Sequence, residues 1–112
     1  MADDDSDDIH SYVERQLALM ERALRGYELG KLCLNSLVHT LEALDSVINS
    51  ASLHDALLPM VTTIEEINAV AKDFGWRTIS RRDARTIQRE IEKVRSAIDA
   101  FRQTDWSTIV RR

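Results

Sequence analysis

Cysteine, proline, glycine and aromatic residues are all scarce in this 112-residue chain, which has one Cys, one Pro, three Gly and two each of Trp, Tyr and Phe. A single cysteine, Cys33, excludes an intrachain disulfide and leaves no thiolate cluster for a metal. It reads instead as a small apolar filler. Three scattered glycines do not form a phosphate-cradling loop. No apolar run approaches the roughly 20 residues that a membrane span requires. The start, Met1-Ala2-Asp3-Asp4-Asp5, is acidic, whereas a secretory signal is basic and then apolar. A cytoplasmic protein is the expectation.

Charge is plentiful but unevenly placed. The net charge is −4. Residues 1–75 carry 14 acidic and 5 basic side chains, and residues 76–112 carry 5 acidic and 10 basic. Such asymmetry bears on partners and association rates rather than on fold, and it suggests a basic partner for the first three-quarters of the chain.

The apolar residues recur at steps of three and four in four segments, the signature of amphipathic helices. The first runs from Ile9 through Val13, Leu17, Met20 and Leu24 to Tyr27, and ends near Gly26. The second carries Leu34, Leu37, Leu41, Leu44 and Ile48, widened by Val38 and Val47. This is the helix around which the others are expected to pack. The third carries Leu53, Leu57, Met60, Ile64, Ile67, Ala71 and Phe74, with Ser52 and Asp55 resembling its cap and Gly75 closing it. Pro59 inside this stripe either kinks one helix or separates two. The fourth carries Ala84, Ile87, Ile91, Val94, Ile98 and Phe101, capped by Ser80 with Asp83, and puts Arg81, Arg82, Arg85, Arg89 and Lys93 on its outer side. The expected architecture is all-α, an up-and-down bundle of four amphipathic helices. Residues 1–8 form a flexible acidic lead, 9–102 the bundle and 103–112 a tail in which Trp106, Ile109 and Val110 fold back or stay loose.

The reactive residue types do not assemble into an enzyme. His10, His39 and His54 lie on three segments without ligand spacing, so no metal or other cofactor is expected. Serine, histidine and aspartate occur without a nucleophile-elbow context. The arginines of the fourth helix are interleaved with Asp83, Glu90 and Glu92 and lack neighbouring aromatics, so nucleic acid is not the expected partner. Their ordinary use is solvation, or packing against the acidic second and third helices. His39 on a helical bundle also suits a histidine phosphotransfer domain. Leu41 fits that pattern, but Glu42 places a negative charge where a phosphorylated ring needs a positive one.

Three elements, Tyr27-x-x-Gly30, Leu32-x-Leu34 and Leu37-Val38-x-x-Leu41-Glu42-x-Leu44, resemble a pattern in the small helical immunity proteins of bacterial polymorphic toxin systems, including contact-dependent growth inhibition. The stretch Ile64-Glu65-Glu66-Ile67-Asn68-Ala69 looks like the third-helix segment of those proteins, and the resemblance spans about residues 20 to 100. Pro59 departs from it, standing where an unbroken helix with an aromatic residue is expected. The resemblance implies a cytoplasmic protein that binds and neutralises the toxic C-terminal domain of a cognate toxin. Many such domains are nucleases with basic surfaces. Physics points the same way, because opposite potentials speed encounter and permit charge-assisted contacts. The residues expected to meet the toxin are Glu42, Asp45, Asp55, Glu65, Glu66 and Asp73, with Trp76 as an aromatic anchor. The alternatives are the phosphotransfer domain and a nucleic-acid-binding or antitoxin module.

Overall fold

The computed structural model describes residues 2–73 and 79–104, with side chains from His10 onward. They form four helices and, among the described residues, no sheet: α1 (Ala2–Glu28), α2 (Leu34–Ile48), α3 (Ala51–Asp73) and α4 (Arg81–Arg102). Helix α1 begins at Ala2. The closing residues Phe74 and Gly75, the anchor Trp76 and the tail residues Trp106, Ile109 and Val110 lie outside the described residues.

Each helix packs on its neighbours in the chain, and α1 also meets α4, an order compatible with an up-and-down bundle. Helix α2 is not the hub that its stripe suggested, because the α3–α4 pairing is as extensive as that of α1 with α2. The stripes otherwise meet in one core. Val13, Leu17, Met20 and Leu24 of α1 join Leu34, Leu37, Leu41 and Ile48 of α2, Leu53, Leu57 and Ile64 of α3, and Ile87, Ile91, Val94, Ile98 and Phe101 of α4. Two positions assigned to the stripes face outward. Val47 is 46% exposed and Ala84 is exposed. No helix among the described residues is long and apolar enough to cross a membrane.

The turns show where local chemistry was misplaced. Gly30 takes φ 76°, the left-handed conformation that ends α1, while the Lys31 and Leu32 N–H groups both donate to the Gly26 carbonyl. Cys33, expected as buried filler, is exposed because it occupies the N-cap of α2, outside the apolar stripe. Its thiol lies 3.2 Å from Ser36 Oγ, a contact that lowers its pKa. Asn49 ends α2 in the left-handed region, and Ser50 takes the capping role assigned to Ser52: its buried Oγ accepts from the Leu53 N–H at 3.4 Å. Pro59 sits within a continuous α3, and Thr63 Oγ1 donates to its carbonyl. Ser80 caps α4 by accepting from the Asp83 N–H at 3.0 Å.

Among the described residues, the ion pairs between α1 and α4 fall on two arginines outside the set Arg81, Arg82, Arg85, Arg89 and Lys93. Glu14, Glu21 and Glu28 stand seven residues apart on α1, and Arg95 and Arg102 stand seven apart on α4. Two turns of helix bring such residues to one face. Arg95 is bonded to Glu28 and to Glu92, the latter at 2.9 Å. Arg102 pairs with Glu14 at 2.8 Å and Glu21 at 2.7 Å. These two arginines therefore neutralise acids of α1, while Arg81, Arg82, Arg85 and Arg89 are exposed to solvent, one of the two uses expected of them. Arg95, with help from Gln88, holds the Glu28 carboxyl down at about 2. A depressed carboxylate contributes stability above its ordinary value of 4.5, and the contribution is lost as pH falls toward 2. Arg95→Met is expected to lower stability at pH 7 by about 1 kcal/mol after allowance for solvent screening. That difference should vanish in urea titrations carried from pH 4.5 down toward 2.

Candidate functional site: the acidic groove between helices α2 and α3

Helical spacing builds the site. On α2, Leu41, Glu42, Asp45 and Ser46 share a face. On α3, His54, Leu57, Leu58, Val61, Thr62 and Glu65 share the opposing one. Together they line an open groove of about 210 Å³. Its floor is apolar because Leu41, Leu57 and Val61 also belong to the core, and Leu58 stands 50% exposed on its rim.

Three of the expected partner-binding residues, Glu42, Asp45 and Glu65, meet in this groove. Asp55 lines a shallower depression beside it with Asp45, Asn49, Ser50 and His54. Glu66 and Asp73 are exposed on α3 but do not line the groove. Trp76 lies outside the described residues.

Glu42 of α2 and Glu65 of α3 line the groove from opposite helices. Among the described residues no lysine or arginine pairs with either. Burial, and then the neighbouring Glu65 carboxyl, push Glu42 above the usual carboxylate range, while His39 acts in the opposite sense. A raised carboxyl holds its proton more tightly in the folded state, so its contribution is present at low pH and lost as pH rises through the folded value. At pH 7 the pair therefore opposes folding. Glu42→Gln is expected to raise the melting temperature by about 1–3 °C at pH 7. The gain should shrink at pH 4, where the wild-type carboxyl carries its proton, and differential scanning calorimetry at the two pH values checks it.

At the other end of the groove Asp45 Oδ2 lies 2.5 Å from His54 Nδ1. The Asp45 side chain is only 14% exposed, and its Oδ1 is buried without a hydrogen-bond partner. Asp45 raises the His54 pKa above 6.5. That contribution is present below the ordinary histidine value and lost as pH rises through the folded one. His54 escaped sequence reasoning because its partner lies across the α2–α3 turn. The one available signal was the nearness of Asp45 and His54 to the Asn49-Ser50 break. A further clasp joins the same helices, with the buried Asn68 donating through Nδ2 to Asn35 Oδ1 at 3.1 Å.

No group of three metal-ligating side chains occurs among the described residues. The side chains of the groove can accept a positively charged group next to an apolar surface. Compared with protein families, with curated proteins and with solved structures, the chain matches none.

Proposed function

We propose that this protein is an immunity protein, which binds and neutralises the toxic domain of a cognate bacterial toxin through the acidic groove of α2 and α3. One observation carries the reading. Arg95 and Arg102 are engaged by α1, while among the described residues no lysine or arginine pairs with Glu42 or Glu65, which line the groove from opposite helices. A like-charge pair that opposes folding is relieved when a basic partner arrives, and the relief adds to affinity. The toxin domain is basic, as a nuclease surface is, and the cytoplasm is where the two meet.

The test is a search of the gene's neighbourhood for a large secreted-toxin gene, whose absence counts against the proposal, followed by co-expression with the C-terminal domain of that toxin. Growth should be restored by the wild-type protein, and the two proteins should co-purify. Continued toxicity with both proteins expressed, and no complex, overturns the proposal.

His39 favours a second reading, because it is exposed on a helical bundle as a phosphotransfer histidine is. Incubation with a small-molecule phosphodonor followed by mass spectrometry separates the two, since only phosphotransfer predicts a phosphohistidine at His39. The Glu42 carboxyl, one turn along α2 and close enough to feel the His39 charge, weighs against it.

A further inference from the structure

We infer that the α2–α3 groove receives one arginine side chain of the partner, its aliphatic stem over Leu41, Leu57, Leu58 and Val61 and its guanidinium between Glu42 and Glu65. The inference rests on the immunity reading and specifies the chemistry of the contact.

The shape of the groove comes first. It is a space of about 210 Å³, open to solvent and continued past Asp45, Ser46 and His54 by a more open depression of about 390 Å³, so it is a surface trough and not an enclosed pocket. It suits a single long side chain entering from a protein surface. The lining decides next. Apolar side chains occupy the floor, and Leu58 extends the apolar surface outward to the rim. Such a strip covers the methylene stem of a long cationic residue and leaves its charged head to the carboxylates.

The arrangement of the carboxylates selects arginine over lysine. Glu42 comes from α2 and Glu65 from α3, so the two carboxylates flank the groove from opposite helices. A guanidinium is planar and carries five donors in a fixed fork, so it can bond both carboxylates at once. An ammonium is a compact, strongly hydrated point charge that gains less from two flanking acceptors. The third acid of the groove, Asp45, is paired with His54, and among the described residues no lysine or arginine pairs with Glu42 or Glu65, so the unmatched negative charge lies at those two carboxylates.

Seating the guanidinium displaces the proton that Glu42 holds near Glu65, so arginine binding should strengthen as pH rises through the Glu42 titration. The test uses the full chain, labelled at carboxyl and methyl carbons, titrated with N-acetyl-arginine methylamide and followed by NMR. Matched lysine and citrulline derivatives run beside it. The arginine compound should shift the Glu42 and Glu65 carboxyl resonances and the Leu57, Leu58 and Val61 methyls several-fold more than citrulline, and more than lysine. Glu42→Gln/Glu65→Gln should abolish the difference. Equal shifts with citrulline overturn the site. Equal shifts with lysine overturn the assignment to a guanidinium, and shifts spread evenly over all exposed carboxylates show unspecific ion pairing and overturn both. If arginine leaves the groove unshifted while growth protection holds, the inference fails and the immunity reading stands. Arginine binding without growth protection supports the groove chemistry and overturns the immunity reading.

Discussion

Leu37→Ala is expected to lower the stability of the fold by about 3–4 kcal/mol. Leu37 is fully buried on α2, at the centre of the stripe that meets α1 and α3. Truncation removes the transfer free energy of the lost carbons and leaves a cavity that packed helices close only in part. A domain of this size has a total stability of about 5–15 kcal/mol, so the loss is a large share of it. The midpoint of urea denaturation should fall while its slope stays constant. Val47→Ala is the control on the same helix. At 46% exposure it should cost less than about 0.5 kcal/mol. Equal losses at the two positions would mean that the α2 stripe is as wide as periodicity suggested, and that the exposed side of the helix is misjudged.

The second large effect concerns the partner. Glu42→Lys/Glu65→Lys is expected to weaken binding of the toxin domain at least about 100-fold, equivalent to roughly 3 kcal/mol. Both substitutions act at the groove, and each replaces an acceptor with a like charge facing a basic surface. The fold should be retained, because Glu42 is exposed and Glu65 half-buried, both outside the core, and long lysine side chains there can turn their ammonium groups to solvent. Circular dichroism at 222 nm should match the wild type. Glu66→Lys/Asp73→Lys provides the comparison: these exposed α3 acids lie outside the groove lining, and their reversal should change affinity less than tenfold. A large loss from the second pair with little from the first would move the contact surface away from the groove.

The four helices were legible in the sequence because their signal is local. Steps of three and four at Leu34, Leu37, Leu41 and Ile48, or at Ile87, Ile91, Val94 and Ile98, state which side of a helix is buried whatever it packs against. The Ser80–Asp83 cap was legible for the same reason. Local signals also competed, and there the reading slipped. Ser50 and Ser52 both suit a cap, and the buried Ser50 won because the left-handed turn at Asn49 aims it at the Leu53 N–H. Pro59 offered a break that α3 does not make. One proline removes one backbone donor, and the flanking apolar residues Leu57, Met60 and Val61 keep the helix docked.

Pairings between distant segments could not be read at all. Arg102 reaches Glu14 and Glu21, 88 and 81 residues away, and nothing in the sequence distinguishes those acids from Glu42 or Glu65. The seven-residue spacing of Glu14, Glu21 and Glu28 against Arg95 and Arg102 gains meaning only once α1 and α4 are known to be neighbours. The same assignment separates neutralised acids from unneutralised ones. It turns a list of acidic residues into a groove with Glu42, Asp45 and Glu65 around it. Asp55 flanks the groove, and Glu66 and Asp73 fall outside it.

The most direct test of the groove as the partner-binding surface is a hydrogen-exchange footprint of the complex with the proposed toxin domain. Protection is expected over residues 41–46 and 54–65, with little change across the exposed arginines Arg81, Arg82, Arg85 and Arg89 of α4. A footprint centred on those arginines, with exchange in α2 and α3 unchanged, would contradict the account.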